Sequence, residues 1–420
     1  MCGIVGYIGP RPAYPILIQG LKQLEYRGYD SAGIALLNDH MQVFKKKGKV
    51  SELENFIGSQ PLASTSGMGH TRWATHGEPN DINAHPHVSN NGHLVLIHNG
   101  IIENYSVLKE ALTRNGYTFT SETDTEVFLN LIEAYQNKEQ LDLADALSMA
   151  LSQVVGAYAI VVADDRNPDV LVAARKQSPL VVGMGEGEYF IGSDATPIVR
   201  YTNKVIYLKD NEIAILDRHA GVTIKDSKNV VQKPRIEEIS LRIEELEKGG
   251  YEHFMLKEIH QQPQTVSDCM RGRLKEHEGL VRVGGMEEYA GQFENAQRII
   301  IAGCGTSWHA GLIGEYLFED LARIPVEVEY ASELRYRNPV IREGDIVMAI
   351  SQSGETADTL AALEHVKSKG AMIYGVVNAV GSSIARLTDA GSYIHSGPEI
   401  GVASTKAFTG QVTLLSMAAL

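Results

Sequence analysis

The sequence predicts two units of different architecture: stacked antiparallel sheets with helices outside them, then a doubly wound parallel sheet. Three observations carry this expectation. In roughly the first 230 residues, short alternating stretches sit at hairpin spacing while the helical stretches fall in separate groups, as in layered antiparallel sheets. From Ala296 onward, apolar strand-like runs alternate with helical ones, as in a wound parallel sheet. Two of those runs end in segments of Gly, Ser and Thr, Gly303-Cys304-Gly305-Thr306-Ser307 and Ser351-Gln352-Ser353-Gly354-Glu355-Thr356, each followed by a helical stretch.

Taken in order, the alternation and turn spacing of the first part predict strands at Gly3–Ile8, Gly33–Leu37, Leu94–Asn99, Ala157–Ala163, Val170–Ala174, Tyr189–Gly192, Lys204–Leu208 and Glu212–Leu216. Helical periodicity predicts Pro12–Leu24, Tyr105–Arg114, Asp124–Tyr135 and Leu143–Val154. The charged stretch from Lys228 to Lys248, with Ile236-Glu237-Glu238-Ile239 inside it, reads either as a linker with a short amphipathic helix or as a surface helix of the first part. The second part gives strands at Arg298–Ala302, Val326–Tyr330, Asp345–Ile350, Met372–Asn378 and Tyr393–His395, with helices at His309–Leu321 and Ala357–Lys369. The resulting division is 2–232, a connecting segment 233–290, and 291–420. The last nine residues, Val412 to Leu420, are almost all apolar, and such a helix expects cover from another subunit or from further chain.

Composition narrows the function classes. The 420 residues are 44% hydrophobic and 21% charged, enough to bury large cores. A net charge of −14 argues against nucleic acid or an anionic membrane surface as partner, without excluding a local pocket for a phosphate. No apolar run is long enough to cross a bilayer. The three cysteines, Cys2, Cys269 and Cys304, are far apart and form no CxxC, so neither a disulfide framework nor a zinc site is expected and a reducing cytoplasm fits. No metal and no cofactor are expected. His85 and His87 flank Pro86, but two histidines without a third ligand are weak grounds for a metal.

Residue types then point to chemistry. Removal of Met1 would leave Cys2 with a thiol and a free α-amine on one carbon, titrating near ~8.5 and ~7.7–8.0. That is a nucleophile carrying its own base. An amide-cleaving thiolate also needs oxyanion donors, a clamp for a substrate carboxylate and an acceptor for a substrate ammonium. Asn99 and the Gly100 N–H suit the first, the forked guanidinium of Arg72 the second, and Asp124 the third. The implied ligand is glutamine. Blander readings compete: His98-Asn99-Gly100 as a simple turn, and Asp124 as a helix N-cap. In the second part, the two Gly/Ser/Thr segments offer donors at helix starts, which suits a phosphate, and neither matches GxxxxGK[ST].

Four stretches resemble the glutaminase domain of the glutamine–fructose-6-phosphate aminotransferases. They are Cys2-Gly3-Ile4-Val5-Gly6, the run Leu24 to Gly33, His70-Thr71-Arg72-Trp73-Ala74-Thr75-His76-Gly77, and His98-Asn99-Gly100-Ile101-Ile102-Glu103-Asn104. The runs Ser351 to Thr359 and Glu399 to Phe408 are similar to that family's sugar-isomerase (SIS) module. The resemblance implies an N-terminal-nucleophile hydrolase fold, an αββα sandwich, followed by a SIS domain. It implies Cys2 as nucleophile, Asn99 and Gly100 as oxyanion hole, and Arg72, Trp73, Thr75, His76, Gly77 and Asp124 about the glutamine, with Trp73 in a closing loop. For fructose-6-phosphate it implies Thr306, Ser307, Ser351, Gln352, Ser353 and Thr356 at the phosphate and Val402 and Ser404 beside the sugar. Lys406 is read as structural, because the family's Schiff-base lysine lies near its C-terminus. The intact family enzyme is expected to be a homodimer.

The family also carries a second SIS module and a C-terminal tail, with its reactive lysine, isomerising glutamate and ring-opening histidine. None has a counterpart in these residues, so a shortened synthase with its glutaminase half entire is expected. Two rival readings remain. One is another class II amidotransferase, of the phosphoribosyl-pyrophosphate or asparagine-forming type. The other is a non-catalytic sugar-phosphate sensor built on the SIS module.

Overall fold

The computed structural model describes residues 2–38, 40–73, 77–239, 247–275 and 277–420. The chain divides into two units, Met1–Ile243 and Glu244–Leu420.

The first unit is built on alternation. Along Gly3–Ile8, Ile4 and Ile8 point to one face and Val5 and Tyr7 to the other, and all are buried. Along Leu94–Ile102, Val95 and Ile97 likewise oppose Leu94 and Leu96. Ile4, Ile8, Val95 and Ile97 share one core with Met68, Ala159 and Val161, so the two strands belong to sheets stacked face to face. Val5 and Tyr7 instead pack on the helices Ala13–Leu24 and Val50–Ile57. Leu94 and Leu96 pack on Asp124–Glu139 and Leu143–Leu151. The order of layers is helix, sheet, sheet, helix, and both sheets are antiparallel, one of eight strands and one of seven among the described residues.

The strand Ser66–Arg72 lies inside the eight-stranded sheet, paired with both Gly3–Ile8 and Ser31–Leu37. The sequence reading left it out, because its letters, SGMGHTR, lack the β-branched alternation of a strand. Gly69 explains the composition: a Cβ there would meet Leu21 at 3.0 Å and Ile34 at 3.2 Å. The helix Ala13–Leu24 sits close enough to need a bare backbone. His98-Asn99-Gly100 lies inside the strand Leu94–Ile102 rather than in a turn after it. Around Ile236–Ile239, where a helix is one expectation, Glu237–Glu238 form a short strand against Lys204 and Val205. Residues 240–246 of that stretch lie outside the described residues.

In the second unit, five strands among the described residues run parallel in the order Val326–Tyr330, Arg298–Gly303, Asp345–Ser351, Met372–Val377, Ala390–Tyr393. The predicted last strand, Tyr393–His395, is therefore set a few residues too late. Ile299 and Ile301 face one core, and Ile300 and Ala302 the other, which is how a sheet covered on both sides reads. Helices Thr306–Leu317 and Lys406–Ala419 lie on the first side, Ala331–Tyr336 and Ala357–Ser368 on the second. The segment 233–290 is more than a connector. It holds the helix Phe254–Met270, which joins Lys406–Ala419 through Lys406 Nζ to Gln261 Oε1 at 2.9 Å and Thr409 Oγ1 to Gln262 Oε1 at 2.5 Å. The unit itself covers much of the apolar C-terminal run, since Leu414, Leu415, Met417 and Ala419 are buried.

Candidate active site

Strand pairing in the first unit brings the sequence-distant residues together. Gly3 pairs with Thr71 and Ser31 with Arg72, so the start of the central strand lies beside the end of Ser66–Arg72. Cys2 therefore meets Trp73: its Sγ accepts the Trp73 N–H at 3.2 Å and lies 3.6 Å from the Trp73 carbonyl. On the other flank, Ser193 follows the strand Tyr189–Gly192. It donates its N–H to Ile4 O at 3.1 Å and accepts the Ile4 N–H on Oγ at 2.7 Å. From the second sheet, Asn99 Nδ2 donates to Cys2 O at 3.0 Å and to Ser193 Oγ at 3.1 Å. Arg27 Nε also donates to Cys2 O, at 3.2 Å, and the guanidinium is braced by Asp194 at 2.8 Å, which accepts the Tyr26 hydroxyl as well.

Burial pushes the Cys2 thiol up, and the Trp73 N–H and the charges of Arg72 and Arg27 pull it back without fully offsetting that. Arg72 is buried and donates to Glu78 O and Gly77 O, both at 3.3 Å. Burial lowers its pKa, against Cys2, Asp124, Asp30 and Glu122, whose charges favour its cationic form. Asp124 opens the helix Asp124–Glu139 and accepts the Ile102 N–H at 2.7 Å. The N-cap of that helix is Thr123, whose Oγ1 accepts from Glu126 N, so Asp124 is not the cap; its charge favours the cationic form of Arg72. Trp73 is 38% exposed and meets Tyr29 edge-on at 5.3 Å. Gly77 is half-buried with φ +78°. Thr75 and His76 lie outside the described residues.

Gly100 is exposed and sits at φ +134°, where a Cβ would fall 2.0 Å from Ala157 O. Only glycine fits that conformation and that approach. Behind Asn99 stand four buried histidines. His70 stacks on His85 at 4.2 Å, and His85 meets His87 edge-on at 4.8 Å. His85 Nδ1 accepts the His98 N–H at 3.2 Å, His98 Nδ1 meets Thr125 Oγ1 at 3.0 Å, and His87 Nε2 meets Thr123 Oγ1 at 3.1 Å. The rings of His85 and His87 are engaged with protein groups, which favours a structural role for Asn83-Ala84-His85-Pro86-His87. Burial, then neighbouring His and Arg charge, holds His70 down to about 3.

The second unit shows where a ligand can gather. The chain leaves Arg298–Gly303 for one neighbour, Val326–Tyr330, and later returns to its other side as Asp345–Ser351. The carboxyl ends of Arg298–Gly303 and Asp345–Ser351 thus flank a topological switch point, where wound sheets open a crevice. Both candidate loops lie there. Thr306 is exposed at the start of Thr306–Leu317, and Ser307 is buried with Oγ accepting from Gln411 Nε2 at 3.0 Å. Ser351 Oγ accepts the Gly354 N–H at 2.9 Å, Ser353 Oγ accepts the Glu355 N–H at 3.1 Å, Gln352 is half-buried, and Thr356 precedes Ala357–Ser368. Cys304 Sγ lies 3.8 Å from Thr359 Oγ1, linking the first loop to the helix that follows the second. In the stretch Glu399 to Lys406, Val402 is 72% exposed, while Ser404 Oγ is buried without a hydrogen-bond partner among the described residues. Glu258 pins this stretch by accepting the N–H groups of Ile400 and Gly401. Lys406 is buried on Gln261, in keeping with its structural reading.

Sequence reading missed Arg27 as a partner of Cys2, and His70 and Ser193 as partners of Asn99. Arg27 lay within Glu25-Tyr26-Arg27-Gly28-Tyr29 and His70 within His70 to Gly77, so both were quoted without a role; nothing in the letters around Ser193 signals it.

Comparison with known proteins agrees with both units. Residues 61–265 match the model of the glutamine amidotransferase domain, and residues 292–420 that of the SIS domain. A glutamine–fructose-6-phosphate aminotransferase (isomerizing) of Bacteroides thetaiotaomicron is 61% identical over 422 residues, covering 100% of this chain and 69% of its own length. The enzyme of the same name from Chlorobaculum tepidum is 58% identical over 424 residues, again covering 100% and 69%. Among solved structures, glutamine phosphoribosylpyrophosphate amidotransferase from B. subtilis covers 94% of this chain and 90% of its own at a TM-score of 0.50 and 18% identity, a likeness of fold. Among the described residues no helix is long and apolar enough to cross a membrane. The chain belongs to the glutamine–fructose-6-phosphate aminotransferase (isomerizing) family.

Proposed function

We propose that this protein is a glutamine-dependent amidotransferase whose nucleophile is Cys2, exposed as the N-terminal residue by removal of Met1. The Cys2 thiolate attacks the δ-carbonyl carbon of glutamine, and the thiol proton passes to the α-amine. Collapse of the tetrahedral intermediate breaks the C–N bond, and the α-amine returns the proton to the departing ammonia. Water then cleaves the γ-glutamyl thioester, releasing glutamate and restoring the thiol. Asn99 Nδ2 and the Gly100 N–H receive the oxyanion. Arg72 binds the substrate carboxylate and Asp124 its ammonium, with Trp73, Thr75, His76 and Gly77 closing about the ligand.

The ammonia is destined for fructose-6-phosphate, giving glucosamine-6-phosphate in the complete reaction. Thr306, Ser307, Ser351, Gln352, Ser353 and Thr356 hold the sugar phosphate, and Val402 and Ser404 lie beside the sugar. The glutaminase domain is 2–232, with 233–290 connecting it to a first SIS domain at 291–420. The protein works in the cytoplasm, and the intact family enzyme is a homodimer.

The observation that supports this reading most is the contact of Cys2 with Asn99 at 3.0 Å, next to Arg72 and Asp124, residues from four separate stretches of one unit. Mass spectrometry of the N-terminus, with and without a glutamine-like electrophile, tests it. Loss of Met1 and a single adduct on Cys2 are expected, and Cys2→Ala should abolish glutamate release while leaving the melting temperature within about 2 °C, a surface-scale change. Full glutamine hydrolysis by Cys2→Ala would end the proposal. Calorimetry with fructose-6-phosphate checks the second unit.

A further inference from the structure

Asn99 is useful as a donor toward Cys2 only with its amide turned one way, and a chain of fixed partners sets that turn. His70 Nε2 lies 3.1 Å from His98 O and 2.9 Å from Asn99 Oδ1. A backbone carbonyl only accepts, so Nε2 must carry the hydrogen. An N–H can then be matched only by the oxygen of the Asn99 amide, which leaves Nδ2 on the opposite side, facing Cys2 O at 3.0 Å and Ser193 Oγ at 3.1 Å. Cys2 O is again a pure acceptor, so both ends of the amide demand the same orientation. His70 Nδ1 is buried and finds no hydrogen-bond partner among the described residues, so the ring has no competing reason to turn. Its stacking on His85 holds the plane.

We infer that His70 is a positioning residue for amide cleavage: its Nε2–H holds Asn99 Oδ1 and so presents the Asn99 N–H groups to the reacting centre at Cys2. The inference rests on the reading of Cys2 as nucleophile and Asn99 as oxyanion donor. Both amide hydrogens of Asn99 are engaged in the structure described, one on Cys2 O and one on Ser193 Oγ. The amide must share one of them with the oxyanion, and His70 keeps the acceptor end away while it does so. A flipped amide would present its oxygen to a negatively charged oxygen.

The test uses the full chain with His70→Gln, His70→Asn and His70→Leu, each assayed for glutamate release and melted. A Gln amide nitrogen reaches the place of the imidazole Nε2, whereas an Asn amide stops one methylene short. His70→Leu and His70→Asn should lose about ten- to a hundredfold in kcat with KM for glutamine within about threefold, as expected when a transition-state donor is misaligned rather than a ground-state contact removed. His70→Gln should recover to within about fivefold of the parent kcat, because one neutral hydrogen bond replaces another. Gln and Asn are both small polar amides, so the pair separates alignment from folding even where Leu lowers the melting temperature. An unchanged kcat in His70→Asn, a His70→Gln as impaired as His70→Asn, or a loss confined to KM would overturn the inference. A parent chain that releases no glutamate would overturn the proposed function itself, and with it the role of His70.

Discussion

Acid should unfold the first unit unusually early, because its site is backed by four histidines that the fold keeps neutral. The hydrogen-bond roles give the reason ring by ring. His85 Nδ1 accepts the His98 N–H, so a proton there would set two donors against each other. A second proton on His70 would sit on Nδ1, buried without a partner among the described residues. Burial lowers all four; it is reinforced at His85 by His70 and His87, at His87 by Lys45 and Arg72, and opposed at His98 by Asp124. An unfolded histidine titrates near ~6.5. Below that pH the unfolded chain binds protons that the fold refuses. The stability these groups give is therefore present above pH ~6.5 and lost as pH falls toward their depressed folded values. Each refused proton tilts stability by about 1.4 kcal/mol per pH unit, so His70, His85 and His87, held furthest down, together approach about 4 kcal/mol per unit, against a total of about 5–15 kcal/mol for a domain. Urea unfolding of the full chain at about pH 7.5, 6.5 and 5.5, with peptide-level hydrogen exchange over 94–102 as reporter, measures the slope. His87→Gln should reduce it by about one proton's share, roughly 1.4 kcal/mol per pH unit. Equal stability of this unit at about pH 7.5 and 5.5 would refute the reasoning, since the predicted slope could not be hidden.

Two substitutions probe the scaffold around Cys2. Gly100→Ala must relieve a 2.0 Å approach to Ala157 O and hold a side chain at φ +134°. Strain and overpacking together amount to about 2–6 kcal/mol, or roughly 5–20 °C in melting temperature. The accompanying shift of Asn99 should lower kcat by about a hundredfold, and a parent-like melt and rate would contradict this geometry. Asp194→Ala leaves the Arg27 guanidinium, 6% exposed, without its carboxylate. Removing one partner of a buried pair costs about 3–5 kcal/mol, readable by urea unfolding at pH 7, where Asp194→Asn should cost less because it still accepts from Tyr26 and Arg27.

The layers of the first unit were legible because Gly3–Ile8 and Leu94–Ile102 carry period-two patterns with both faces apolar. The wound sheet was legible because Arg298–Gly303 and Asp345–Ser351 are short continuous apolar runs between helical stretches. Ser66–Arg72 was not, since a strand crossed closely by a helix trades branched side chains for glycine and loses the very pattern that marks a strand. The candidate site was legible as far as Cys2, Arg72, Asn99 and Asp124, which the sequence reading named and which the fold of the first unit brings into one region. Ser193 could not, because its value lies in a position gained only when Tyr189–Gly192 pairs beside Gly3–Ile8. Phe254–Met270 was hidden by Pro263 and by charged neighbours that made the stretch look like a tether.

The path of the chain around Arg298–Gly303 has its own consequence. The opening above that strand is made by two turns departing in opposite directions, while the strand's own side chains stay packed. Ile299, Ile300 and Ile301 are buried beneath it, on the two faces of the sheet. Exposed rim positions such as Thr306 can therefore change without disturbing the strand beneath, whereas Ser307 and Ser351, buried and hydrogen-bonded to Gln411 and to the Gly354 N–H, are part of the frame itself.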